Sequence, residues 1–233
     1  MKSDSIKLFQ TLEHRCGYYS DRLSRNLVLD PVDPELPRLY GAALERGFRR
    51  AGGHVYRPYC RLCQDCIACR VPVAKFQPRR SQRRTQKDNA DLRIEIEPAH
   101  ASLAHFDLYR RYLSGRHAGG GMDDPGFDDF ERFLLCGWSD TRFINFREGD
   151  RLLACAVTDF SNRGLSAVYT FFDPAEGARS LGSYAILTQI SIARREALPH
   201  VYLGYWLDGH EKMDYKRSYR PLELLIDGVW QSS

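Results

Sequence analysis

Residues 142–172 read RFINFREGDRLLACAVTDFSNRGLSAVYTFF. The stretch holds three strand-like runs: Arg142–Arg147, Arg151–Phe160 and Leu165–Phe172. Turn residues separate them, first Gly149-Asp150 and then Asn162-Arg163-Gly164. Such turns fold neighbouring strands into antiparallel hairpins. Downstream, Leu181–Ala197 has the length and apolar density of a helix, and Val201–Trp206 and Leu222–Ile226 read as strands. Upstream, Asn89–Glu97 alternates Leu92, Ile94 and Ile96 with Arg93, Glu95 and Glu97, the pattern of a half-buried strand. Two helices follow. One turns Leu103, Phe106, Tyr109, Tyr112 and Leu113 inward, and the other covers Phe127 to Leu135, with Gly119-Gly120-Gly121 as the loop between them. The order strand, two helices, antiparallel strands, helix, strand, strand predicts an α+β fold on a mixed sheet rather than a βαβ repeat.

The N-terminal third reads differently. Residues 30–37, DPVDPELP, open a helix whose apolar positions Leu36, Leu39, Tyr40, Ala43, Leu44 and Phe48 share one face. Gly52-Gly53 is its expected stop, with Arg46, Arg49 and Arg50 as cations near the negative helix end. A boundary is expected between residues 75 and 92. It divides the chain into a small cysteine-bearing module, 1–80, and a mixed-sheet domain, 81–233.

The 233 residues are 43% hydrophobic and 27% charged, ordinary values for a chain that builds a core. Net charge is +4, but the distribution is uneven. Ile67 to Lys87 contains no acid, whereas Asp123, Asp124, Asp128, Asp129 and Glu131 form an acidic patch. That asymmetry favours an anionic partner on one face. No apolar run reaches the roughly 18 residues of a membrane helix, and the first residues lack the apolar core of a secretory signal. A cytoplasmic location is therefore expected. The 7 cysteines are an odd count, read as reduced thiols.

Residues 60–69, CRLCQDCIAC, place thiols at Cys60, Cys63, Cys66 and Cys69. Thiolates at this spacing either share a structural zinc ion, which takes four ligands, or hold an iron–sulfur cluster, or are buried as small hydrophobes. Cys16 can replace one of the four, and Cys69 is the alternative ligand. Cys136 and Cys155 lie in apolar segments and read as core thiols. The acid-free run carries Arg70, Lys75, Arg79, Arg80, Arg83, Arg84 and Lys87. With Pro78 and its Ser and Gln spacers it reads as an extended loop, either a phosphate-binding arm or a solvated one. Arg179-Ser180-Leu181-Gly182-Ser183 opens a helix whose N–H groups suit an anion. It is similar to the phosphate loop of GNAT acyltransferases, except that Tyr184 stands where Gly or Ala is usual. Segment 202–217, YLGYWLDGHEKMDYKR, crowds aromatics with cations, and Lys212 and Lys216 are spaced to share a helical face.

In order along the chain come His14-Arg15-Cys16-Gly17-Tyr18, Gly47-Phe48-Arg49-Arg50, Tyr56-Arg57-Pro58 before Cys60 and Cys63, and Phe76-Gln77-Pro78-Arg79-Arg80. Then follow Phe172-Asp173-Pro174, Ser180–Tyr184, Tyr202-Leu203-Gly204-Tyr205 and Lys212-Met213-Asp214-Tyr215-Lys216. This series resembles the bacterial aminoacyl-tRNA–protein transferases, relatives of the eukaryotic arginyltransferases, over nearly the whole chain. The series looks like the short bacterial form, the aspartate/glutamate leucyltransferases, and so implies a chain expected to move leucine from leucyl-tRNA onto proteins with N-terminal Asp or Glu, the product then entering the N-degron degradation pathway.

The resemblance implies a GNAT-like C-terminal domain and chemistry that requires no cofactor. It also implies a possible structural zinc or iron–sulfur site at Cys16, Cys60, Cys63 and Cys66, although Tyr19 stands where the eukaryotic motif has its second cysteine. By family position Tyr205 and Asp173 fall at the reacting centre. An acceptor carboxylate calls for a cation, for which Arg49, Arg50 and Arg57 are candidates, with Lys216 in reserve. Leucine calls for an apolar pocket, lined by Phe171 or Tyr169. Arg79, Arg80, Arg83, Arg84 and Lys87, with Lys212 and its neighbours, are candidates for tRNA phosphate contact. Rival readings are arginyl transfer, with the acidic patch receiving the donor side chain, an ordinary acetyltransferase, and a non-enzymatic RNA-binding protein with a cysteine metal knuckle.

Overall fold

The alternation in 142–172 builds antiparallel strands in the computed structural model, which describes residues 6–116 and 124–233. In chain order the elements begin with β1 (Leu8–Gln10), β2 (His14–Arg15), β3 (Leu23–Ser24), β4 (Asn26–Leu29), α1 (Leu36–Glu45), β5 (Arg49–Ala51) and β6 (His54–Pro58). Then come β7 (Ile67–Pro72), α2 (Arg80–Asp88), β8 (Arg93–Pro98), α3 (Leu103–Arg116), α4 (Phe127–Leu134), β9 (Asp140–Glu148), β10 (Arg151–Ser161) and β11 (Gly164–Phe172). The chain closes with α5 (Leu181–Arg195), β12 (His200–Trp206), β13 (Glu223–Ile226) and β14 (Val229–Ser232). The expected glycine loop at 119–121 and Asp123 of the acidic patch lie outside the described residues.

The large sheet runs β14-β13-β7-β12-β11-β10-β9-β8. It is antiparallel except where β11 lies parallel to β12, the two strands that α5 connects. Alternate residues of β9 and β10 face two different cores. Ile144, Phe146, Ala154 and Ala156 meet α5 through Leu181, Ala185 and Ile190. Phe143, Cys155 and Val157 meet α3 and α4 through Leu108, Tyr109, Phe130 and Leu134. Burial on both faces explains why β10 is apolar almost without interruption. This is the mixed-sheet α+β architecture the sequence predicts.

The first third forms a second sheet, β1-β4-β6-β5, packed with α1 through Leu29, Tyr40, Leu44, Phe48 and Val55. The pattern of short half-buried strands gave no clear period, so sequence reading missed them. Strand β7 leaves this region and enters the large sheet between β13 and β12. The 1–80 segment therefore supplies a central strand of the other sheet.

Two expectations are corrected. Helix α1 ends at Glu45, not at Gly52-Gly53, because Gly47 turns the chain at φ +79°. Arg49 and Arg50 consequently lie on a strand, where consecutive side chains point to opposite faces. The basic arm is not an extended loop either. Pro78 precedes the N-terminal cap of α2, and Gln82 buries itself and anchors the helix to the Ser218 carbonyl at 3.1 Å.

Candidate functional site

Strands β11 and β12 register at only two positions, Leu165 with Val201 and Ser166 with Tyr202. Beyond them the parallel pair opens, and a side chain from the other sheet enters. Arg49 donates from Nη2 to the Val168 carbonyl of β11 at 3.0 Å. On the β12 side it passes Gly204, whose φ is +75° and where a Cβ would stand 2.6 Å from Arg49 Nη1. The left-handed φ favours glycine there, and a side chain in its place would push the Arg49 guanidinium aside. Its guanidinium carbon lies 5.8 Å from the centre of the Tyr205 ring.

Arg49 has no carboxylate within ion-pair distance among the described residues. Burial opposes its charge, and the ionisable groups that act on it most strongly are Tyr56, Tyr18, Tyr205 and Tyr40. Burial pushes the Tyr18, Tyr205 and Tyr40 hydroxyls above their ordinary range, so they carry no charge at pH 7. A half-buried guanidinium, always protonated, thus stands among neutral rings with donors to spare. Such a charge is costly to leave unpaired, and it suits an incoming carboxylate.

Arg50 points the other way and is saturated. Nε and Nη2 grip Asp159 at 2.7 Å each, and both side chains are fully buried. Tyr40 and Thr141 each donate a further hydrogen bond to Asp159 at 2.7 Å, while Arg50 also reaches the Gly52 and Leu134 carbonyls. This knot ties α1, β5, β9 and β10 together and leaves Arg50 no donor for a ligand.

The other sequence candidates scatter. Arg57 rests over the Phe48 ring at 5.0 Å and donates to the Arg46 carbonyl. Lys216 is buried, and its amine donates to the Tyr205 carbonyl, with the Met213 sulfur 3.3 Å away. Burial pushes its pKa down to about 8; Cys69 and Cys66 oppose that fall and the Arg49 cation adds to it. Lys212 is exposed, so the two lysines do not share a face. Tyr205 is buried with its hydroxyl donating to the Gly47 carbonyl at 3.0 Å. Asp173 lies elsewhere, past the open end of β11. It caps the turn at Ala175 and pairs with Arg151 at 3.0 Å and Arg111 at 3.3 Å. Burial works against its charge, but the amide and the two arginines outweigh it and hold the carboxyl below its ordinary pKa. Tyr205 and Asp173 are not brought together by any contact.

Phe171 is wholly buried in the core under α3 and α4 and cannot line a pocket. Tyr169 is half-buried at the edge of the same core, with Tyr112 and Phe133 around it at 6.2 and 5.2 Å. Two acids of the patch serve local structure. Asp129 caps Gly126 and pairs with Arg132, and Asp124 pairs with Arg110.

Cys16, Cys60 and Cys63 lie close enough to Cys66 to reinforce the rise of its thiol pKa to about 12, which burial dominates. Their sulfurs nevertheless turn to separate partners. Cys16 accepts from the Tyr18 amide, Cys63 from Arg22, and Cys60 faces Ser24. Cys69 is apart, buried on β7 with its thiol pushed up to about 11. Among the described residues no three His, Cys, Asp or Glu side chains converge on one point. As placed, the thiols fall short of a metal cage.

The basic helix α2 and the segment after β12 do come together. Beside the Gln82 anchor, Phe76 stacks on Tyr219 at 6.4 Å. Arg79 at the cap and Arg80, Arg83, Arg84 and Lys87 on α2 are exposed, and Lys212 and Arg217 are exposed on the segment the helix docks against.

Two sheets joined through an arginine knot, with one lone arginine in a sheet opening, set this chain beside known proteins. Residues 14–84 match the family described as "Arginine-tRNA-protein transferase, N terminus", and residues 104–226 match "Arginine-tRNA-protein transferase, C terminus". The chain belongs to this family of aminoacyl-tRNA–protein transferases and is an aminoacyltransferase. Its relatives carry a narrower name. "Aspartate/glutamate leucyltransferase" of Stenotrophomonas maltophilia is 58% identical over 235 residues, spanning 98% of this chain and 94% of its own length. The protein of that name from Hahella chejuensis is 47% identical over 226 residues, 97% of each chain. A solved structure, L-PGS from Bacillus licheniformis, overlaps 72% of this chain and 58% of its own at TM-score 0.49 and 8% identity, too distant to bear on the site. No helix among the described residues is long and apolar enough to cross a membrane.

Proposed function

We propose that the protein transfers leucine from leucyl-tRNA to the α-amine of proteins that begin with Asp or Glu, so marking them for degradation. The observation that carries this reading is the lone Arg49 guanidinium in the opening between β11 and β12. An acidic side chain is the complement it lacks, and the relatives' name asks for the same chemistry. Arg49 reads that carboxylate, while Arg50 holds the frame.

The donor ester is already activated. The acceptor's neutral α-amine attacks the ester carbonyl, a C–N bond forms, the bond to the tRNA 3′ oxygen breaks, and that oxygen gains the proton the amine loses. Fixing amine and ester in contact supplies most of the acceleration. The leucyl side chain packs against Tyr169 and its neighbours Tyr112 and Phe133. The phosphates of the donor lie along Arg79, Arg80, Arg83, Arg84 and Lys87 of α2, with Lys212 beside them, each contact releasing counterions.

Purified protein incubated with labelled leucyl-tRNA is expected to modify peptides beginning with Asp or Glu and to leave Ala-initiated peptides unlabelled. Label on all three, or on none, contradicts the reading. In the same assay Arg83→Glu with Arg84→Glu is expected to weaken leucyl-tRNA binding about tenfold and to flatten its salt dependence. Unchanged affinity removes α2 from the donor path.

A further inference from the structure

Below the Arg49 site lies a groove of about 450 Å³ that none of the chemistry above uses. It runs between β6, the cysteine loop, β7 and the β13–β14 turn, and its volume falls in the ~300–1,000 Å³ range of ligand clefts. It adjoins the Arg49 site: Gly47, Ala68 and Tyr205 line both the groove and the small void beside Arg49. Its walls include Pro58, Leu225 and Gly228, which are apolar or bare, while Arg46 and Arg57 stand on one rim. Neither arginine has an acidic partner among the described residues: Arg46 donates to the Ala42 carbonyl and Arg57 to the Arg46 carbonyl. Glu45 also lines the groove, and Arg163 faces it at 3.7 Å.

We infer that this groove receives the second and third residues of the acceptor polypeptide in extended form, and that Arg46 and Arg57 favour acidic side chains there. The inference rests on the leucyl-transfer reading. A protein acceptor differs from a free amino acid in having a chain that must leave the site. With its first carboxylate on Arg49, the next residues advance about 3.3 Å each, and the groove is the passage that shares walls with that position. A nucleic acid fits it less well. Tyr59 and Tyr205 are its aromatic walls, its cations are two, and the exposed cations of α2 lie on another element. Acidic residues beside the rim gain from two unpaired guanidinium groups, while lysines there meet like charge.

The test uses the full chain, leucyl-tRNA and three peptides that differ only at positions two and three: Asp-Glu-Glu, Asp-Ala-Ala and Asp-Lys-Lys, each with the same neutral continuation. Wild type is expected to favour Asp-Glu-Glu over Asp-Lys-Lys at least tenfold in kcat/KM. Arg46→Gln with Arg57→Gln collapses that ratio to within about twofold, and Arg46→Lys with Arg57→Lys restores most of it, which separates charge from packing. A wild-type ratio within twofold, or a ratio that survives the glutamine pair, overturns the groove assignment while Asp-Ala-Ala is still leucylated. A glutamine pair that raises the Kd for leucyl-tRNA and spares the peptide ratio overturns it in favour of the nucleic acid. No transfer to any of the three peptides overturns the leucyl-transfer reading, and the groove assignment falls with it.

Discussion

Arg49 and Arg50 are consecutive residues of one strand, and the fold treats them oppositely. Arg50 enters a closed knot in which Asp159, Thr141 and two backbone carbonyls accept from it, while Tyr40 and Thr141 donate to Asp159. Arg49 enters an opening where one carbonyl accepts from it, four tyrosines are the ionisable groups that act on it most strongly, and no carboxylate pairs with it among the described residues. The first arginine is a fastener between sheets and the second is a cation awaiting a partner. Residue type and motif are the same for both. What differs is the face of the strand and whether the opposite wall offers an acid.

Breaking the knot is expected to have the largest effect. Asp159→Asn leaves Arg50 buried with half its compensation, a loss of about 3–5 kcal/mol in unfolding free energy. Urea denaturation measures it, and a loss below about 1 kcal/mol makes the knot incidental. Lys216 comes next, as a buried amine beside the open arginine. Its pKa falls from 10.5 to about 8 in the fold. The native state therefore prefers the neutral amine, and the full penalty for carrying charge is present below pH 8 and disappears as pH rises toward 10.5. Lys216→Met is expected to be more stable than wild type by about 2 kcal/mol at pH 7, less than the ~3 kcal/mol of the whole shift because a hydrogen bond to Tyr205 is lost. The gain should shrink between pH 8 and 10.5, and a gain independent of pH rules out the titration as its source. The smallest effect is expected for Arg49→Met, within about 1 kcal/mol of wild type in unfolding free energy, since the removed charge had no ionic partner. A loss comparable to that of Asp159→Asn makes Arg49 a second fastener.

Much of the large sheet was legible because β9, β10 and β11 carry strong apolar runs broken by good turns, and α5 is long and regular. The N-terminal sheet was not, because its strands are three to five residues long and mostly half-buried or exposed. Too few residues repeat to set a period. The helical reading of Leu36–Phe48 ran past Gly47, whose left-handed turn a single sequence signals weakly. In the site, the Gly-Phe-Arg-Arg motif pointed to the right place but could not say which arginine was free. That depends on Asp159, more than a hundred positions away. An acid in the otherwise apolar run of β10 was its available signal. Gly204 was visible as part of Tyr-Leu-Gly-Tyr, yet its reason, the passage of Arg49, exists only once the two sheets meet.

The central claim is that Arg49 reads the acceptor's carboxylate. Competing peptides that begin with Asp and with its neutral isostere Asn test it most directly, with leucyl transfer followed for wild type and for Arg49→Met. The account predicts that wild type favours Asp at least a hundredfold in kcat/KM, and that the variant, folded and still binding leucyl-tRNA, treats the two alike within about threefold. A variant that keeps the wild-type preference contradicts it.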